Sequence, residues 1–140
     1  MHPKVFRLAR YPYEEAAHYF VLSVSDGRRA GSSEFYADSA TILALAEKLA
    51  SFPRSVVDEV RFESGDKSDP RFSGYTGLRF YVHDASGHTA LRVEFLTRGN
   101  DLVTGTVDFC FAVEASAINR IGAGLKAFMA SDREEIVVEL

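Results

Sequence analysis

Few side chains in this 140-residue sequence have the chemistry for catalysis or metal binding, and they are scattered. Of the four histidines, His2 opens the chain and His18 precedes an aromatic and β-branched run, while His83 and His88 flank the short segment Asp84-Ala85-Ser86-Gly87. A turn there would bring two imidazoles together, the beginning of a metal site. Zinc needs three or four ligands, and the spacing provides no carboxylate or thiol to complete the set, so no metal or other cofactor is expected. Cys110, the single cysteine, would need activation by a histidine to act as a nucleophile. Its register puts it on the same side of a sheet as His83, although a small thiol packed between strands is the commoner use of such a position. The patterns HExxH, CxxC, GxxxxGK[ST] and GxSxG do not occur. Gly122-Ala123-Gly124 falls within a helical period and is not a dinucleotide loop. Catalysis is left open, with no motif in its favour.

A broader constellation comes from alternation. Over residues 78–113 three segments place large apolar side chains (Leu78, Phe80, Val82; Leu91, Val93, Phe95; Val107, Phe109, Phe111, Val113) at every second position. A period of two means strands with one buried face. The intervening positions put Arg79, Tyr81, His83, Arg92, Glu94 and Asp108 together on the other face. These residues would line a ligand cavity if the sheet curves, and would be its solvated side if it does not. Phe72 and Tyr75, among the glycines and charges of a long loop over residues 63–77, are candidates for aromatic anchors in partner binding.

The turn between the first two strands decides which side chains meet. A two-residue loop at Ser86-Gly87 would set Arg79 opposite Glu94 but require a left-handed serine, at a cost of roughly 1–2 kcal/mol. A four-residue loop, Asp84 to Gly87, suits a type I turn but sets Arg79 opposite Arg92 and His83 opposite His88. The cross-strand charge effect is only about 0.2–1 kcal/mol. The four-residue loop is therefore expected, with a cationic stripe on the polar face and Glu94 diagonal to Arg79.

The remaining elements must cover the apolar face. Val5, Phe6 and Leu8 predict a strand ending at Tyr11-Pro12, followed by a short helical turn near Glu14. Residues 18–25 and about 28–36 predict a hairpin turning at Asp26-Gly27. Ile42, Leu45, Leu49 and Phe52 form one helical stripe, capped by Asp38 or Ser39 and stopped by Pro53. Residues 56–62 return to strand character. A second helix over about 115–130 carries Ile118, Ile121, Leu125 and Phe128. Its Gly122 and Gly124 each cost about 1 kcal/mol against alanine, which implies close approach to the sheet or the first helix. Residues 135–140 close with a strand. The order, three strands, helix, four strands, helix, strand, predicts an α+β fold with a mainly antiparallel sheet and both amphipathic helices packed on one face. Phe80, Val93 and Phe111 should be among the most buried residues.

Composition bounds the rest. The length suits a single domain over 1–140. Hydrophobic and charged fractions of 46% and 26% are ordinary for a globular chain, and no apolar run reaches the ~20 residues of a membrane span. One cysteine excludes an internal disulfide and favours a cytoplasmic location. A net charge of −4 argues against nucleic acid and for a basic partner.

The passage Phe109-Cys110-Phe111-Ala112-Val113-Glu114-Ala115-Ser116-Ala117-Ile118, continuing through Ile121 and Leu125, resembles the closing segment of small bacterial immunity proteins of the WapI type. There an F-x-F-x-aliphatic strand runs into an acidic or Ser-containing cap and a helix. The likeness extends over roughly residues 20–128, through an early hairpin, an amphipathic helix and a meander. It implies a protein that binds and neutralises a cognate toxin without doing chemistry. The matching positions are structural, so no partner-contacting residue carries over. Protein binding is thus the leading expectation, and a ligand site or enzyme on the polar sheet face the second.

Overall fold

The computed structural model describes residues 3–14, 17–69, 74–98 and 104–140. Its elements follow the expected order: β1 (Lys4–Glu14), β2 (Ala17–Asp26), β3 (Ala30–Asp38), α1 (Ser39–Ala50), β4 (Glu59–Gly65), β5 (Gly74–Val82), β6 (Thr89–Arg98), β7 (Thr104–Ala112), α2 (Ala115–Met129) and β8 (Glu135–Glu139). The class is α+β and every strand pairing is antiparallel. The strands divide between two four-stranded sheets, β3-β2-β1-β8 and β4-β5-β6-β7, where alternation alone suggested one. Each sheet is thus a meander leading into a helix, with β8 returning from the chain's end to complete the first. Among the described residues no helix is long and apolar enough to cross a membrane.

One core serves both sheets. Phe6, Leu8, Phe20, Leu22 and Phe35 from the first sheet meet Phe62, Leu78, Phe80, Leu91 and Val93 from the second, together with Ile42 and Leu49 of α1 and Ile118, Ile121 and Leu125 of α2. The sheets approach closely at β3. A Cβ added to Gly31 would lie 2.8 Å from Val107 Cγ1 and 3.2 Å from Phe95 Cδ2. Beside that contact the buried hydroxyls of Ser33 and Thr76 bond across the interface at 2.5 Å, each satisfying the other.

Both helical glycines are explained by contact. Gly122 faces the last turn of α1, where a Cβ would come within 2.5 Å of Ala50 N and 2.7 Å of Ala46 O. Gly124 faces β8, where a Cβ would meet Ile136 Cδ1 at 2.6 Å. Asn119 then reaches the end of α1, its Nδ2 donating to Leu49 O at 2.9 Å and Phe52 O at 2.7 Å. Leu49 O, which also accepts the Phe52 N–H at 3.3 Å, lies in the last turn of α1 and Phe52 O just beyond it, so Asn119 ties α2 to the end of α1. At its start α1 has Asp38, whose Oδ1 accepts from Thr41 N at 2.9 Å and Thr41 Oγ1 at 2.7 Å. Glu114 occupies the equivalent position of α2 without a side-chain cap bond.

Several boundaries differ from the sequence reading. β1 continues through Pro12. Arg10 N–H donates to Glu134 O, so two residues on the proline nitrogen points to the same side, past the start of β8, and no ladder bond is lost. Glu14 and Ala17 lie in strands, not in a helical turn. Val56 and Val57 lie before β4 and are exposed. β4 runs to Gly65 and β5 begins at Gly74, which shortens the expected loop and puts Tyr75 in a strand. Phe111 is only half-buried because β7 is an edge strand with no neighbour on one side.

Phe80→Ala should therefore cost about 3–5 kcal/mol, and Phe111→Ala clearly less. Gly122→Ala should cost about 1–3 kcal/mol by forcing the helices apart. Denaturant titration of the three variants checks the set; a Gly122→Ala protein as stable as the parent would contradict the close helix contact.

Candidate functional site

The β5–β6 turn has the expected register. Gly87 N–H donates to Asp84 O at 3.1 Å and His83 N–H to His88 O at 2.8 Å, with Gly87 at φ 88°. Arg79 pairs with Arg92, and Gly77 with Glu94. All six residues expected on the polar face, Arg79, Tyr81, His83, Arg92, Glu94 and Asp108, lie on the side of the second sheet away from the core.

Their arrangement neutralises the expected cationic stripe. Arg61, Arg79 and Arg92 stand side by side on β4, β5 and β6. On one side runs the row Glu63, Gly77, Glu94 and Asp108; on the other lies Glu59. Arg92 grips Asp108 with two bonds, Nε at 3.0 Å and Nη2 at 2.8 Å. Arg79 Nε donates to Glu59 at 3.1 Å and its guanidinium lies 4.1 Å over the Tyr81 ring, while Arg61 shares the same Glu59. Lys67 Nζ donates to Glu94 at 3.0 Å. The four cations Arg61, Lys67, Arg79 and Arg92 balance the four carboxylates Glu59, Glu63, Glu94 and Asp108, so the face offers little net charge to an anion. The arginines hold Glu59 and Asp108 below the usual carboxylate range, Arg61 contributing most to Glu59 and Arg92 to Asp108.

Shape agrees with charge. The cavity between Arg61, Glu63, Tyr75, Arg79, Arg92 and Glu94 has a volume of about 70 Å³, room for water but well under the ~300 Å³ of small ligand pockets. Tyr75 forms its floor. Its ring lies over Gly77, where a Cβ would be 2.7 Å from Cε2, and the side chain is only 7% exposed. It is therefore not an anchor open to a partner; Phe72 lies outside the described residues. Cys110 is exposed on this face and ladder-paired with Arg92. His83 instead faces Asp84 and His88 two rows away. The nucleophile and base of the sequence reading are not assembled.

The other exposed face was not anticipated. On the side of the first sheet turned from the core, Tyr11, Tyr19 and Tyr36 pair in one line across β1, β2 and β3. Ring centroids are 5.9 Å apart for Tyr11–Tyr19 and 5.2 Å for Tyr19–Tyr36. Tyr11 and Tyr36 are 54% and 55% exposed, and Val137 on β8 is 47% exposed. Below the tyrosines come the rows Glu34-Val21-Ala9-Glu135 and Ser32-Ser23-Arg7-Val137. A shallow recess of about 320 Å³ lies beside Tyr19, Glu34 and Tyr36, and another of about 380 Å³ lies further along the face beside Val5, Arg7 and Ser23. Among the described residues no helix covers this side. The signal was present as tyrosines at matching positions of three paired strands, but it needed the β1–β2–β3 register to be read.

The fold and these faces define an α+β protein of two antiparallel sheets, one presenting a compensated ionic face and the other a tyrosine face. No protein-family model and no curated protein matches the chain.

Burial pushes the Tyr19 phenol up to about 12, helped by its hydrogen bond to Glu34 and that residue's charge. Burial does the same for Tyr75, again to about 12, with Glu63 and Glu94 adding to it. A phenol raised in the folded state contributes stability that is full below its unfolded value of 10.0 and is lost as pH rises through about 12. Stability should thus fall across that window. Phenolate absorbance should show late-titrating tyrosines, one of them missing in Tyr19→Phe; identical titration curves would place Tyr19 among the ordinary phenols.

Proposed function

We propose that this protein works by binding another protein through the tyrosine face of its first sheet, without catalysing a reaction. The observation that carries the reading is the Tyr11-Tyr19-Tyr36 line on a sheet face that no helix of the described residues covers. Tyrosine offers large contact area at small entropic cost and is enriched where interfaces concentrate their energy. Val137 and the apolar parts of Val5, Ala9 and Val21 extend the contact. Glu34, Glu135 and Glu139 outnumber Arg7 on this side, which suits a partner presenting arginine or lysine, steered by opposite charge and held over aromatic rings. The resemblance to immunity proteins of the WapI type supports the same reading: a cytoplasmic protein that occupies and neutralises a basic toxin.

The second reading, a small ligand or a reaction on the Arg79, Tyr81, His83, Arg92, Glu94 and Asp108 face, has less support, since those charges are already paired and the cavity is small.

Affinity purification from the source cell should recover one protein in stoichiometric amount. Tyr11→Ala and Tyr36→Ala should each weaken that complex by more than ~1 kcal/mol with little change in thermal stability, and Arg92→Ala should leave it unchanged. Co-purification of a small anionic metabolite, lost in Arg79→Ala and Arg92→Ala, with no protein bound, would replace this reading by the second.

A further inference from the structure

The turn between β5 and β6 gathers three metal-ligating groups that the sequence did not place together. His83 and His88 face each other across the hairpin with their rings stacked, centroids 5.9 Å apart and planes within 25°. Asp84 lies against both and divides its two oxygens between two tasks. Oδ1 accepts the backbone N–H of Ser86 at 3.0 Å and of His88 at 3.1 Å, which fixes the orientation of the carboxylate. Oδ2 is left toward the rings, 2.7 Å from His88 Nδ1 and 3.8 Å from His83 Nδ1. One ligand atom from each of the three residues lies within 4.8 Å of the others.

We propose that this turn is a binding site for a single divalent transition-metal ion of the Zn²⁺ class, held by one nitrogen from each of His83 and His88 and by Asp84 Oδ2, with its remaining positions open to water. Imidazole and carboxylate are ordinary ligands for such an ion. Bonds of ~2.0–2.1 Å in a tetrahedron put ligand atoms roughly 3.3 Å apart. The distances of 2.7 and 3.8 Å from Asp84 Oδ2 fall on either side of that value, so entry of an ion asks for small rotations of exposed side chains and none of the backbone. With neutral imidazoles the three groups carry one negative charge, which favours a cation. The turn's own hydrogen bonds already hold the carboxylate in place, so little ordering is needed on binding. The site lies on the second sheet, away from the tyrosine face, and does not depend on the partner-binding reading.

The test uses the untagged chain and Zn²⁺ alone, titrated calorimetrically. One ion should bind per chain. His83→Ala and His88→Ala should each weaken binding by at least about tenfold, the lower end of what loss of even a supporting group costs a metal site. Asp84→Asn is the sharper variant. Its amide oxygen can still accept the Ser86 and His88 N–H groups, so the turn persists while the anionic ligand is gone, and affinity should fall without a change in the metal-free melting temperature. His18→Ala, on the other sheet, should bind as the parent does. Absence of saturable Zn²⁺ uptake by the parent would overturn the proposal, as would parental affinity in the His83→Ala/His88→Ala double variant.

Discussion

The parity of the Asp84–Gly87 turn decides the character of the second sheet. With four residues in the loop, Phe80 lies opposite Leu91 and Leu78 opposite Val93, all turned to the core. A loop one residue longer or shorter would turn one strand's apolar set to water. At roughly 1.5–3 kcal/mol for each large side chain, that outweighs any arrangement of charges on the surface. The turn is secured locally: Asp84 accepts the N–H groups of Ser86 and His88, and Gly87 takes the left-handed conformation a serine would resist. Two imidazoles meet as a by-product of that register.

The same parity sets Arg79 opposite Arg92, and with β4 in register Arg61 extends the row to three like charges. Direct neighbours of one sign are unfavourable in a sheet. The conflict is resolved by neighbouring carboxylates, Glu59 serving two arginines and Asp108 accepting two bonds from the third. These pairs are exposed and individually worth little. What they accomplish is to let the core choose the register without an electrostatic penalty.

How far the sequence could be read follows from the range of each interaction. Element order, the α1 stripe with its Asp38 cap and the β5–β6 turn were legible because each rests on residues within a few positions of one another. The close contacts at Gly122 and Gly124 were legible in kind, since glycine in a helix calls for a compensating neighbour; which glycine faced which element was not. The division into two sheets was hidden, because alternation records that a face is buried and not what buries it. Phe111 followed the periodic pattern, yet its exposure depends on β7 being an edge. Arg10 is a sharper case. It sits in line with Phe6 and Leu8 on the inward side, where its guanidinium lies 4.3 Å over the Phe128 ring and donates to Ser131 O at the end of α2. A partner 121 residues away leaves no local trace. The metal-ligating group of Asp84 was missed differently, by treating it only as a turn former when one oxygen suffices for that role.

The two outward faces differ in what contact with another protein would cost. Covering the second sheet would remove paired guanidinium and carboxylate groups from water, and desolvating such pairs commonly cancels the gain from burial. Each would need its geometry kept intact beneath the partner. Covering the first sheet would bury tyrosine rings and valine methyl groups, whose transfer from water is favourable, while phenolic hydroxyls at the rim keep hydrogen bonds available. Its carboxylates are spaced out along the strands, and among the described residues the ion pair across it is Arg7 with Glu135, at 3.7 Å, so a basic partner gains attraction without first breaking a paired network like that of the second sheet. Both faces are antiparallel and, among the described residues, uncovered by helices. Desolvation therefore separates them, and it favours the tyrosine face for the contact with another protein proposed above.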